Sequence, residues 1–179
     1  MADEKKEPWL NWLALTTVLL AVCATMASFK GGGYSTKSVL TQTQASDQWA
    51  FYQSKSIKGY LYELHRDKLE LDFKAREATL PAEVAKDYTK QIEGAAAKIK
   101  KYDGEKAEIE KKARELEAFR TECGRHSGAF GAAIVYLQIA IMLSSIAALM
   151  KKKPVWVAGL LVGALGVVHF LNGFFLFLN

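Results

Sequence analysis

The chain has 179 residues and a net charge of +5, and its 24 Lys and Arg and 19 Asp and Glu lie so unevenly that a mean hydropathy of zero describes no part of it. Residues 8–29, 127–150 and 154–179 contain no Asp, Glu, Lys or Arg, so 72 positions carry no charge and the other 107 carry all of it, at about 40% of those positions. A soluble globular domain is excluded, because each run reaches the roughly 20 apolar residues of a bilayer-crossing helix.

The N-terminal tail, residues 1–8, holds Lys5 and Lys6 ahead of the first run. Val22-Cys23-Ala24 resembles a small-residue cleavage site, and Leu20-Ala21-Val22-Cys23 approaches a lipoprotein pattern, but Val22 stands where a smaller residue is wanted. The expectation is a retained signal-anchor, transmembrane helix 1, over residues 9–29. Lys30-Gly31-Gly32-Gly33-Tyr34-Ser35-Thr36-Lys37 should end it, because three adjacent glycines lose much backbone entropy on ordering. Residues 30–37 are therefore expected to be a glycine hinge. The tract lacks the spacing of a phosphate-binding loop and follows an apolar helix rather than a strand.

Residues 38–126 predict a long extramembrane helical hairpin. In its first arm Ala45, Trp49, Tyr52, Tyr60, Leu64, Leu71, Ala75 and Ala78 recur at helical spacing and predict one apolar, aromatic face. A turn is expected at 79–82, where Pro81 can stand only in a first helical turn, with Thr79 or Leu80 as a cap and Glu83 favourable at the new N-terminus. In the second arm Ala85, Tyr88, Ile92, Ala95, Ile99, Tyr102, Lys106, Ile109, Ala113 and Leu116 step by alternating threes and fours, a coiled-coil seam interrupted by Lys106 alone. After Leu116 the seam is expected to shift to Phe119 and Cys123. Two arms of this length should pair antiparallel over roughly 60 Å.

Gly124, Gly128 and Gly131 crowd the entry to transmembrane helix 2, residues 127–150, where either a kink or a continuous helix is compatible with the sequence. The basic turn 151–154 allows only a sharp reversal into transmembrane helix 3, residues 155–178. The fold class is thus an all-α membrane protein with three transmembrane helices and a coiled-coil hairpin between the first and second. Basic residues in short loops favour the cytoplasm, which predicts a cytoplasmic N-terminus and Lys151 to Lys153 turn and a periplasmic hairpin. Lys30, Lys37, Arg114, Arg120 and Arg125 flank the hairpin in equal number, so the preference rests on the shortness of the lysine loop.

Gln44-Ala45-Ser46-Asp47-Gln48-Trp49-Ala50-Phe51-Tyr52-Gln53-Ser54-Lys55-Ser56-Ile57-Lys58, then Leu61-Tyr62-Glu63-Leu64, resembles the hallmark of small membrane proteins grouped as the domain of unknown function 4337 family. The order of parts is similar too, with a C-terminal helix pair opening at Leu137-Gln138-Ile139-Ala140-Ile141. The resemblance implies a bacterial inner-membrane protein and carries no activity with it.

No catalytic, cofactor-binding or metal-ligating constellation is found, so no enzyme and no cofactor are expected. Cys23 and Cys123 offer neither a disulfide framework nor a zinc-ligand spacing. Acidic and basic residues interleave along the central segment, which reads as a solvated helix rather than a nucleic-acid surface. His65 and His126 stand among polar neighbours and read as solvated. Trp49, Phe51 and Tyr52 are a candidate partner surface, although aromatics at this spacing more often pack inward. His169 is the intramembrane ionisable group, and a bond to Gln138 at similar depth in the neighbouring helix would satisfy both side chains. Gly159, Gly163, Gly166 and Gly173 form a small-residue stripe that predicts helix packing and homo-oligomerisation. The function expected is self-assembly or scaffolding of a protein partner in the lipid bilayer. A subunit of an oligomeric channel or transporter, with the hairpin as a mechanosensitive lever, is the alternative.

Overall fold

The computed structural model describes residues 8–178. The tail residues Lys5 and Lys6, and the proposed role of the N-terminus, lie outside them. Three helices account for nearly all of the described chain: α1 (Pro8–Arg76), α2 (Ala82–Met150) and α3 (Lys153–Phe175). Each contains a stretch long and apolar enough to cross a membrane, and no strand occurs among the described residues.

The glycine tract does not end the first helix. Residues 30–37 are helical within α1, and no glycine adopts a positive φ. Helical glycine costs about 1 kcal/mol relative to alanine, and local contacts offset it here. Gly31 is buried with Phe130 packed where its Cβ would stand, and the Ser127 hydroxyl donates to the Gly31 carbonyl at 3.1 Å. Of the two courses open at Gly124 to Gly131, α2 takes the continuous one, and the bounds of the third helix differ from expectation. The apolar run 127–150 continues α2 without a break, and α3 spans Lys153–Phe175 rather than 155–178.

The helix ends follow local chemistry. After Arg76 the Thr79 and Leu80 amides donate back to the Arg76 carbonyl, and Pro81 supplies the carbonyl for the first bond of α2, from Ala85 N at 3.0 Å. At the other end of α2, Lys151 takes a left-handed conformation (φ 50°), and the Lys152 amide closes on the Ala147 carbonyl. Pro154 then sits in the first turn of α3. That helix stops at Leu176, also left-handed, whose amide reaches the Asn172 carbonyl while the Leu178 amide reaches Asn172 Oδ1.

The chain divides into two compact units, Met1–Leu40 with Phe119–Asn179, and Thr41–Ala118. The first packs three helix segments around Leu20, Ala27, Phe130, Ala133, Leu137 and Ala140. A second cluster in that unit joins Trp9, Leu13 and Ala147 to Val155 and Trp156 near the basic turn. There the Trp156 indole N–H donates to Thr16 and lies 6.0 Å from the Trp9 ring.

The second unit pairs one segment of α1 with one of α2. Trp49 meets Glu117, Lys55 meets Glu105, Tyr62 meets Tyr102 and Phe73 meets Tyr88, so the partners run in opposite order along the two helices. On α2 the positions Ala85, Tyr88, Ile92, Ala95, Ile99, Tyr102, Lys106, Ile109, Ala113 and Leu116 are all buried or half-buried. On α1 the face departs from expectation after Tyr52. Tyr60, Leu64 and Leu71 are exposed, and Ala75 and Ala78 with them, while Lys55, Gly59, Tyr62, Arg66, Leu69 and Phe73 turn inward. A strict seven-residue step from Ala45 and Tyr52 reaches Gly59, Arg66 and Phe73, and long polar side chains hold such positions by covering apolar surface with their stems.

Candidate functional site

The glycines of α3 are spent within the chain. Gly159, Gly163, Gly166 and Gly173 are buried. A Cβ on Gly166 would come within 2.8 Å of Leu137, one on Gly173 within 2.6 Å of the Phe130 ring, and one on Gly163 within 3.1 Å of Leu20. These four positions let α3 lie directly on α2 and α1. The side of α3 that these glycines form is thus filled by the chain's own side chains. The glycines of this unit that lack such neighbours are Gly32 and Gly33 on α1 and Gly124, Gly128 and Gly131 on α2, where an added Cβ would meet nothing within 4 Å; Gly94 and Gly104, in the charged part of α2, are open in the same way.

Phe130 organises the end of this unit. It is fully buried, with the rings of Phe174, Phe170 and Tyr34 at 5.0, 6.1 and 6.1 Å. His126, read from sequence as solvated, is half-buried beside it. Its ring stacks on Tyr34 at 4.5 Å, and its Nδ1 lies 2.8 Å from the Gly173 carbonyl. Because a carbonyl only accepts, that nitrogen carries the proton, and the imidazole satisfies a carbonyl at the C-terminal end of α3. The signal for this role is the tertiary approach of α3, which no local pattern contains.

Gln138 and His169 are not joined by a hydrogen bond. His169 is half-buried and stacks on Tyr136 at 5.2 Å, whereas Gln138 is exposed, turned about 100° around α2 from Leu137, which is fully buried. Equal depth does not ensure a shared face: Tyr136 and Gln138 are two residues apart, about 200° around a helix. Ser144, fully buried against α3 beside Gly159, has a hydroxyl without a hydrogen-bond partner. Among the described residues no group of His, Cys, Asp and Glu could hold a metal ion.

In the second unit the aromatic cluster divides. Trp49 and Tyr52 are half-buried and meet edge to face at 5.6 Å, the Trp49 indole N–H donates to Glu117 at 2.8 Å, and the Arg114 guanidinium lies over the indole. Phe51 points outward beside a shallow groove of about 330 Å³ lined by Asp47, Ala50, Phe51 and Ser54. Lys55 lies 2.6 Å from Glu105, and the close approach of its ammonium holds that carboxyl below the usual carboxylate range. Lys106 occupies the one charged seam position on α2, and a hydrogen bond to Asp103 at 2.8 Å raises its ammonium above the ordinary lysine value.

The chain belongs to the family described as Domain of unknown function (DUF4337), whose sequence model matches residues 9–176. No curated protein and no solved structure matches it.

Proposed function

With that membership as premise, we propose that the chain is a non-enzymatic, multi-pass membrane protein that works by association, assembling with itself or holding a partner. Its three apolar stretches sit in the bilayer, and its charged middle segment forms an antiparallel coiled-coil hairpin outside it. In a bacterial inner membrane the lysine turn faces the cytoplasm and the hairpin the periplasm. The observation that carries the reading is the second line of apolar side chains on α1. Ile57, Leu61, Leu64 and Leu71 are each more than half exposed, although they lie in the charged segment where water is the solvent. A two-helix pairing covers one side of α1 and leaves these residues to a further surface.

The test is the mass of the full chain in native-like lipid. Self-assembly requires a multiple of the chain mass that persists on dilution. A monomer at every concentration, with no protein recovered alongside it from its own membrane, would refute association. His169 gives a conduction path little support, since it rests against Tyr136 in a stacked pair.

A further inference from the structure

We propose that the α2 face carrying Gly128, Gly131 and Gln138, with Gly124 just ahead of the charge-free run, is the contact between two copies of this chain in the membrane, an inference that rests on the self-assembly reading above. The four positions step by four, three and seven residues, so they share one side of the helix, and all are exposed. Phe130, Leu137 and Ser144 take the buried side. Two independent features meet on the exposed side. The three glycines have no atom within 4 Å of a would-be Cβ, so packing within the chain does not require them, although glycine in a helix interior is unfavourable relative to alanine. Gln138 lies midway along the charge-free run 127–150, and its side-chain amide makes no hydrogen bond to any described residue. At the middle of a bilayer no water satisfies its amide, and a polar side chain facing hydrocarbon there calls for a partner helix.

The amide also indicates what that partner is. A glutamine side chain both donates and accepts, and copies related by an axis along the membrane normal bring the same residue opposite itself at the same depth. Gln138 of one copy then satisfies Gln138 of the next. The glycines about two to four turns away let the two backbones approach closely enough for that bond to form. A different protein would have to place a donor and an acceptor at this depth independently.

The experiment measures self-association of the full chain in native-like lipid for the wild type, Gln138→Leu, Gly128→Leu and the control Ala164→Leu, which places the same side chain at an exposed position of α3. Gln138→Leu should raise the dissociation constant roughly 3- to 30-fold. Gly128→Leu should leave a monomer at concentrations where the wild type is associated, and Ala164→Leu should change nothing. Circular dichroism should report equal helix content in all four, because the new side chain at position 128 points into open space. If Gly128→Leu does lose helix, Gln138→Leu decides alone. A double variant, Gln138→Leu with Gly128→Leu, that associates as tightly as the wild type overturns this contact and leaves self-assembly standing through another surface. A wild type that is monomeric throughout removes both readings together. Association with a different protein only overturns the second copy as occupant.

Discussion

Two glycines of the same chain have opposite expected responses to a methyl group. At Gly173 a Cβ would lie 2.6 Å from the Phe130 ring, which Tyr34, Phe170 and Phe174 hold in place, so Gly173→Ala should destabilise the first unit by about 1–3 kcal/mol. At Gly32 the same methyl meets nothing, and Gly32→Ala should stabilise α1 by about 0.5–1 kcal/mol through backbone entropy alone. Unfolding of both variants in detergent, followed by helix signal, checks the sign at each site. The Lys55–Glu105 pair predicts a pH dependence. The folded carboxyl binds its proton less tightly than the unfolded one, so the pair contributes stability above the ordinary carboxylate range of about 4.3 and loses it as pH falls through the lowered folded value. The wild type should therefore exceed Glu105→Gln in stability at pH 7, and the gap should close on acidification below about pH 4. A gap that widens with acid would contradict the assignment.

At the scale of the element, what decides these helices is which positions lie at the contact, more than how apolar each one is. Ala95 and Ala113 are almost fully buried on α2, while Leu64 and Leu71 on α1 are exposed by more than two thirds. Small residues at a close crossing bury completely, and large ones away from it do not. Ile99 sits half-buried on the α2 seam, flanked by exposed Lys98 and Lys100. Ile99→Asp should lower the stability of the second unit by about 2–4 kcal/mol, because a charge without a partner is forced into the contact. Lys100→Asp, one position on, should change it by less than about 0.5 kcal/mol. Equal losses from both changes would show that the seam does not hold this segment. Lys106 shows how a seam tolerates charge: its ammonium reaches Asp103 while its stem stays half-buried.

At the scale of the whole molecule, the side chains left uncovered bear most directly on the proposed association. In the charged segment they are Ile57, Leu61, Leu64 and Leu71 of α1. Leu64→Lys and Leu71→Lys together should leave helix content and thermal unfolding within about 0.5 kcal/mol of wild type, since neither side chain is buried in the chain. In the reading proposed above, the double change should weaken self-association of the full chain in lipid severalfold. An unaltered dissociation constant would show that this line of side chains serves no assembly.

The residue types alone determined the all-helical class and the three stretches long and apolar enough to cross a membrane, because charge-free length and a seven-residue step are local properties of a chain. The tertiary structure decided whether the Gly31 to Gly33 tract ended a helix, since the cost of helical glycine is small beside the contact that Phe130 and Ser127 supply from a segment about 100 residues away. It decided which glycines are occupied, because a stripe of small residues looks the same in sequence whether an atom of its own chain fills it or none does. The partners of His126 and His169 were likewise outside the reach of spacing arguments. Depth along a helix can be counted from a turn, but the rotation that sets Tyr136 against His169 and leaves Gln138 outside is fixed by how α3 packs against Leu137 and Phe130.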